Sequence, residues 1–190
     1  MSSASPVESE VKLRLAGPQE GRQALQRLGA RLERPRHFED NQLYDDAQGS
    51  LAARGTVVRL RRTPHGGLLT FKGPRRVEDG VKSREELETG VADAGMLALI
   101  LDRLGLRGTF RYQKYREVWR HGGLEIVLDE TPVGCFLELE GPPAEIHPVA
   151  AALGYTRADY VTDSYVALFF RAGGQGDMLF GDGEASPRSA

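Results

Sequence analysis

The chain has 190 residues, with 25 lysines and arginines against 27 aspartates and glutamates and a formal net charge of -2. This length is enough for one domain with a substantial core. The net charge argues against a generally basic nucleic-acid binder. It says little about a local site, because opposite charges that cancel in the total can still lie apart on the protein. The one cysteine, Cys135, excludes an intramolecular disulfide and suits a reducing compartment.

The two ends of the chain and the shortness of its apolar runs favour a cytoplasmic protein. The opening stretch MSSASPVESE has no apolar run typical of a signal peptide, and no apolar segment approaches the ~18 residues needed to span a bilayer. Residues 1–6 are small and polar, and residues 172–190 are rich in Gly, Ser and acidic residues despite an apolar triplet at 178–180. We expect both ends to be disordered, which leaves a folded domain over residues 7–171.

Hydrophobic periodicity and turn residues predict mostly strands in the first half of the chain. Pro18 is placed to begin a helix and Gly29 to end it, and the turn TPHGG joins two strands into a hairpin. The predicted elements are, in chain order, a strand at 7–15, a helix at 17–29, a strand at 36–46, a turn at 49–55, strands at 56–62 and 68–73, and a strand at 82–91.

The second half of the chain repeats the mixture of strands and helices. Asp93 is a candidate N-cap, and Gly105 and Gly154 are candidate residues for ending helices. The predicted elements are a helix at 93–105, strands at 109–120, 124–129 and 135–141, a helix at 143–153 and a short final helix at 164–170.

Side chains alternate between the two faces of a strand, and most of the predicted strands have one charged and one apolar face. In the strand VESEVKLRL the apolar face carries Val11 and Leu13, and the other face is a row of charges of both signs. The charged faces of the strands contain, in chain order, Glu8, Glu10, Lys12, Arg14, Arg59, Arg61, Lys72, Lys82, Arg84, Glu86, Glu88, Lys114, Arg116, Glu125, Asp129, Glu138 and Glu140.

For a single strand the simplest interpretation is an antiparallel sheet with its charged face in water. For the whole set, three helices can cover the apolar faces, and about eight twisted strands tend to curl and close into a barrel. The charges would then lie inside, where unpaired burial is costly, so a water-filled binding tunnel is favoured. Basic residues hold phosphate oxygens, and carboxylates hold hard divalent cations. The pattern therefore predicts a site for a polyphosphate and a metal ion.

A resemblance to a known family follows from these residues. Glu8-x-Glu10-x-Lys12 resembles the ExExK motif of the CYTH superfamily, the triphosphate tunnel metalloenzymes, and the similarity runs from about residue 7 to residue 170. Within the family, the chain looks most like bacterial class IV adenylyl cyclase-like sequences. Ser9 stands where that branch usually has an apolar residue, but it faces away from the charged row, so no charged position is affected. The blocks that follow in the family's order are NQLYDD, VVRLRR, TFKGP, KSREELE, YQKYR, VLD and GCFLELEG.

The resemblance implies an α+β fold, an eight-stranded antiparallel barrel flanked by helices, and Mg²⁺ or Mn²⁺ as cofactor. It implies that the acids of the metal site are Glu8, Glu10, Glu138 and Glu140, with Asp129 near a second metal. It implies that the residues binding the phosphates are Lys12, Arg59, Arg61, Lys72, Arg84, Lys114 and Arg116. Lys12, Arg59, Lys72 and Arg116 are the catalytic candidates, and Glu86, Glu88 and Tyr44 are further candidates.

The resemblance implies a small triphosphate as substrate: ATP, thiamine triphosphate or inorganic tripolyphosphate. By the same resemblance, the set of Arg84, Glu86 and Glu88 is more typical of the family's hydrolases than of its cyclases, which favours hydrolysis with a class IV adenylyl cyclase as the alternative. A non-catalytic polyphosphate-binding module is a third interpretation, against which the intact acids argue. We expect no nucleic-acid partner and no membrane, and a homodimer is a reasonable expectation because symmetric dimers are common.

Overall fold

The computed structural model describes residues 7–64 and 66–181. The disorder predicted for residues 1–6, and for the tail beyond residue 181, lies outside the described residues. The strands are β1 (Val7–Leu15), β2 (Arg31–Asp45), β3 (Val57–Thr63), β4 (Gly66–Lys72), β5 (Arg76–Glu78), β6 (Val81–Val91), β7 (Arg107–His121), β8 (Leu124–Thr131), β9 (Gly134–Glu140) and β10 (Tyr160–Val161). The helices are α1 (Pro18–Leu28), α2 (Ser50–Ala53), α3 (Ala94–Arg103), α4 (Pro143–Ala152) and α5 (Tyr165–Arg171).

Eight of these strands form a closed antiparallel barrel. The order around the barrel is β1-β9-β8-β7-β2-β3-β4-β6, and β6 pairs with β1 to close it. The short strands β5 and β10 add to β6 and β1 outside this ring. The predicted fold class, a barrel flanked by helices, is confirmed.

Closure depends on β1, which uses its length to pair with two neighbours. Residues 7–10 pair with β6, and residues 10–15 pair with β9. Glu10 therefore lies opposite Lys82 on one side and opposite Glu140 on the other. The inward row of β1 is thus surrounded by strands whose charged faces also point inward.

The apolar faces of the strands point outward and are covered by helices. The largest cluster lies around α1 and α4 and includes Leu13, Leu137 and Leu139, which are fully buried. At Gly21 on α1, a Cβ atom would come within 2.8 Å of a Leu15 side-chain atom. A glycine here lets the helix approach the barrel closely. Amphipathic strands and helices thus share one apolar layer around a charged centre.

The structure differs from the sequence-based elements in four places. β2 begins at Arg31, because register shifts on either side of Arg34 accommodate Pro35 within a long strand. The segment predicted as a turn at 49–55 contains the short helix α2, and the strands β5 and β10 were not predicted.

Among the described residues, none of the helices combines the length and apolarity needed to cross a bilayer.

The disorder predicted for residues 172–181 is wrong. β8 pairs with β7 only from Tyr115 onward, so the backbone of β7 before that residue has an unpaired edge on this side. Met178 occupies that edge: its N–H donates to the Arg111 carbonyl, and its carbonyl accepts from the Gln113 N–H. The Met178 side chain is fully buried, and the Phe180 ring lies 5.3 Å from the Tyr115 ring. A free strand edge and an apolar pocket therefore outweigh the polar composition of this segment.

Replacing Met178 by aspartate is expected to lower the free energy of unfolding by at least about 3 kcal/mol, because a charge replaces a fully buried apolar side chain. The control is Leu179→Asp, since Leu179 is 39% exposed and its replacement should cost less than about 1 kcal/mol. Urea denaturation followed by the fluorescence of Trp119 measures both variants. Equal stability losses in the two variants would contradict the docking of this segment.

Candidate active site

The interior of the barrel holds a cavity of about 550 Å³ that is partly open to solvent. Its wall is formed by residues of all eight barrel strands, together with the start of α5. Thirteen of the predicted site residues line it: Glu8, Glu10, Lys12, Arg59, Arg61, Lys72, Arg84, Glu86, Glu88, Lys114, Arg116, Glu138 and Glu140. The cavity is within the size range of pockets that enclose small organic ligands.

Three carboxylates form a group that fits a divalent cation. Glu8, Glu10 and Glu140 each present an oxygen, and these oxygens lie within 4.8 Å of one another. The pairing of Glu10 with Glu140 across β1 and β9 brings two of them together, and Glu8 follows two residues earlier on the same face of β1. Hard cations such as Mg²⁺ prefer oxygen ligands of this kind. The donor set therefore suits Mg²⁺ or Mn²⁺.

The protonation of this carboxylate group reflects an excess of buried negative charge. Burial, a hydrogen bond with Glu86 and the charge of Glu140 raise the pKa of Glu8 to about 9. Burial and the charge of Glu138 raise the pKa of Glu140 to about 7. At Glu10 burial acts in the same direction, but Lys12 and Lys82 hold its pKa below the ordinary value. A divalent cation would favour the ionised form of all three.

A basic cluster faces the carboxylates inside the same cavity. It consists of Lys12, Arg59, Arg61, Lys72, Arg84, Lys114 and Arg116. Carboxylates fix several of these cations: Arg116 donates to Glu138 at 2.7 Å, and Lys12 lies 3.1 Å from the same carboxylate. Arg59 donates to the Thr70 hydroxyl at 3.1 Å. The cations are thus held in place before any ligand binds, which suits them to an extended polyanion.

Glu138 belongs to the basic cluster more than to the carboxylate group. Its two oxygens face Lys12 and Arg116, and its pKa lies well below the ordinary value, because these cations outweigh the effect of burial. The metal role that the resemblance implies for Glu138 stays a prediction. In this geometry Glu138 orients Lys12 and Arg116 beside the carboxylate group.

Asp129 does not line the cavity, unlike the other acids predicted for the metal site. It is fully buried, and its carboxylate accepts hydrogen bonds from Lys114 at 2.9 Å, from Arg116 at 2.6 and 2.7 Å, and from the Tyr165 hydroxyl at 2.9 Å. Both oxygens are therefore engaged by donors. In this geometry Asp129 holds two cations toward the cavity. The position near a second metal that the resemblance implies for Asp129 stays a prediction.

Tyr44 is the one other candidate that the structure places outside the cavity. It packs in an apolar cluster with Leu60 and Leu101 on the outer side of the barrel. The adjacent residue Leu43 lines the cavity instead. The period of two along β2 explains this, because neighbouring side chains point to opposite faces. Tyr44 therefore has a packing role, and its prediction as a site residue is wrong.

Glu86 and Glu88 on β6 line the cavity and bind residues of β4. Glu86 ion-pairs with Lys72, and Glu88 accepts from the Thr70 hydroxyl at 2.7 Å. Despite burial, the hydrogen bond with Glu8 and the charges of Lys72 and Arg59 lower the pKa of Glu86 to about 2. Glu86 is thus the ionised partner of a protonated Glu8.

The sequence-based prediction missed several residues of the cavity and of its supporting layer. Lys82 lies on the charged face of β6, and the alternation of that strand contained the signal for it. Glu39 and Asn41 on β2 contact Arg61, which shows that β2 also has a polar inner face. Tyr165 reaches the cavity from α5, which strand alternation cannot reveal.

The raised pKa values predict how the stability of the metal-free protein depends on pH. A carboxyl group whose pKa is higher in the folded state keeps its proton after the unfolded chain has lost it, so rising pH favours unfolding. Glu140 and Glu8 act in this way up to pH values of about 7 and about 9, respectively. We expect the free energy of unfolding to fall between about pH 5 and about pH 7, with a slope of up to about 1.4 kcal/mol per pH unit for each group.

Urea denaturation in the presence of a chelator, repeated over this pH range, measures the slope. The variant Glu140→Gln removes one of the two titrating groups and should show a smaller decline. A slope in Glu140→Gln as steep as that of the unmodified chain would contradict the assignment.

The positions of Asp129 and Glu140 predict effects of different size on metal binding when each carboxylate is replaced. Glu140→Gln is expected to weaken Mn²⁺ binding by at least about tenfold, because it removes a ligand charge, whereas Asp129→Asn should change it by less than about threefold. Calorimetric titration with Mn²⁺ measures both affinities. A loss in Asp129→Asn as large as in Glu140→Gln would restore Asp129 to the metal site.

Comparisons with known proteins identify similar sequences and structures. A putative adenylate cyclase of Methanocaldococcus jannaschii is 22% identical over 173 residues, which cover 85% of this chain and 98% of that protein. The structure of a putative adenylate cyclase from Vibrio parahaemolyticus matches with a TM-score of 0.78 and 19% identity, covering 88% of this chain and 99% of that one.

A putative adenylyl cyclase from Hippeastrum matches with a TM-score of 0.65 and 23% identity, covering 88% of this chain and 97% of that one. At these identities the structures show a shared fold. The CYTH domain family matches residues 7–165, which is most of the chain. This chain therefore belongs to the CYTH domain family.

Proposed function

We propose that this chain is a divalent-metal-dependent phosphohydrolase that acts on a linear triphosphate. One observation carries the proposal: the seven residues of the basic cluster, which come from five strands, share one cavity with three carboxylates whose oxygens lie within 4.8 Å of one another. A binder of anions alone gains nothing from carboxylates beside phosphate. A metal ion between the two groups removes that conflict.

The spread of the cations supports a polyphosphate rather than a single phosphate. Lys12 lies beside one carboxylate oxygen of Glu138 and Arg116 beside the other. Arg59 and Lys72 lie on β3 and β4, in another part of the wall. Arginine forks and lysine ammonium groups are the usual partners of phosphate oxygens. Cations on different walls of one tunnel suit a chain of phosphates that runs between them.

Each group has a task in this proposal. Glu8, Glu10 and Glu140 would hold the metal ion, which supplies positive charge at the phosphate oxygens and lowers the pKa of a water molecule. Lys12, Arg59, Lys72 and Arg116 bind the phosphate oxygens and stabilise the charge that develops there. Asp129 fixes Lys114 and Arg116. Glu86 fixes Lys72, and Glu88 at the cavity wall can accept a proton from an incoming water molecule.

The aromatic residues of the cavity favour hydrolysis over cyclisation. Among the described residues, the aromatic ones that line it are Tyr112 and Tyr165, and each is 7% exposed. Their hydroxyl groups are engaged by Arg59 and Asp129, respectively. Neither ring offers an open face on which a nucleobase could stack. The Hippeastrum neighbour, a putative adenylyl cyclase by name, is described as having a dominant triphosphatase activity, which supports the same choice.

A class IV adenylyl cyclase is the alternative, supported by the names of the Methanocaldococcus and Vibrio proteins. In that reaction the ribose 3′-hydroxyl attacks the α-phosphate of ATP, and the products are cyclic AMP and pyrophosphate. The same cations and carboxylates would serve it. The proposal also includes a cytoplasmic location and a homodimer, both of which are expectations from the sequence.

Assays of the purified protein with Mg²⁺ or Mn²⁺ on ATP, thiamine triphosphate and tripolyphosphate test the proposal. We expect inorganic phosphate to be released, and we expect Glu10→Gln to lower the rate by at least about 100-fold, because it removes a metal-site charge. The control is Glu20→Gln on the exposed side of α1, which should keep the full rate.

Three outcomes distinguish the candidates. Cyclic AMP as the main product from ATP would replace hydrolysis by cyclisation. Tight binding of tripolyphosphate without turnover of any substrate would favour the non-catalytic binding module. A full rate in Glu10→Gln would remove the metal role of the carboxylate group.

A further inference from the structure

Lys82 is a buried cation in direct contact with the carboxylate group. It lies near the start of β6, opposite Glu10 of β1 in the antiparallel register, and is 4% exposed. It also lines the cavity, so its ammonium group is within reach of a ligand there. No role follows for Lys82 from the resemblance to the CYTH superfamily.

Two ammonium groups bind one oxygen of Glu10. Lys12 donates to Glu10 Oε1 at 2.8 Å, and Lys82 donates to the same oxygen. The ammonium group of Lys12 also forms an ion pair with Glu138 at 3.1 Å, so it interacts with two carboxylates. Among the described residues, Glu10 is the carboxylate with which Lys82 forms an ion pair.

This arrangement conflicts with a metal ion in the same place. Glu10 is one of the three carboxylates placed to hold a divalent cation. An ammonium group on Glu10 and a divalent cation on the same carboxylate would repel each other, and a buried setting screens that repulsion weakly. Lysine has a long, flexible side chain, so its ammonium group can move to another acceptor in the cavity.

We propose that Lys82 neutralises Glu10 in the ligand-free protein, competes with the divalent cation for that carboxylate, and turns to the phosphate oxygens when a triphosphate binds. Lys82 is then a positioning residue that couples the two ligands: the triphosphate withdraws Lys82 from Glu10 and so strengthens metal binding. This inference rests on the proposed function, because it needs both ligands in one cavity.

Arg84 offers a matched comparison two residues along the same face of β6. It lies opposite Glu8 in the register and lines the same cavity. In the part of the chain that the structure describes, Arg84 forms no ion pair with the three carboxylates. A general effect of positive charge should appear at both positions, whereas competition for Glu10 is specific to Lys82.

The experiment measures two affinities separately in Lys82→Met. Mn²⁺ binding without triphosphate is followed by the electron paramagnetic resonance signal of free Mn²⁺. Binding of imidotriphosphate, a non-hydrolysable triphosphate, is followed by calorimetry with a chelator present. We expect Mn²⁺ to bind at least about fivefold more tightly and imidotriphosphate at least about fivefold more weakly than in the unmodified chain.

Three further variants make the result specific. Arg84→Gln should change the Mn²⁺ affinity by less than about twofold, and Lys82→Arg, which keeps the charge, should bind Mn²⁺ as weakly as the unmodified chain. Lys82→Gln repeats the main test with a polar replacement, so that a folding defect of Lys82→Met does not decide the result. Circular dichroism confirms the fold of each variant.

The opposite signs of the two shifts are the diagnostic feature. A purely structural role for Lys82 would weaken both ligands, and that outcome overturns the inference. An equal gain in Mn²⁺ affinity in Arg84→Gln also overturns it, in favour of a general effect of charge. If the unmodified chain binds neither Mn²⁺ nor imidotriphosphate, the proposed function itself fails.

Discussion

The pairing of β6 with β1 gives the protein its charged interior. This pairing closes the barrel, so that the charged faces of eight strands enclose a common space instead of facing bulk water. It also places Glu10 between Lys82 and Glu140, which joins the basic and acidic parts of the site. Without closure, the charged row of β1 would be an ordinary solvated edge, and neither a metal ion nor a polyphosphate would be surrounded.

Charge burial divides the cavity into two parts with different properties. In the basic part, the carboxylates of Glu39, Asp129 and Glu138 pair with Lys114, Arg116 and Lys12, so these cations are fixed at little cost in unpaired charge. In the acidic part, burial and neighbouring carboxylates outweigh the nearby cations, so the pKa values of Glu8 and Glu140 are raised. This excess of buried negative charge lowers the stability of the metal-free protein, and the divalent cation that we propose to bind there would relieve it.

The far end of the chain completes the wall of the cavity. α5 places Tyr165 beside Asp129, and the segment after α5 fills the edge that β7 leaves free before its pairing with β8 begins. Met178 and Tyr165 belong to one apolar cluster with Phe136. The last described residues of the chain therefore complete the apolar layer that supports Tyr165 and the cations beside it.

The strand faces, most helix ends and the family could be predicted from the amino-acid sequence. Strict alternation along β1 separates Glu8, Glu10 and Lys12 from Val11 and Leu13, and such alternation is a local property that any register preserves. Which inward residues meet depends on the three-dimensional arrangement of the strands. Asp129 lies behind the cations and Lys82 meets Glu10, because strand register and closure set the depth and partner of each side chain. The order of residues 172–181 depends on an edge created by two distant strands, which composition cannot show.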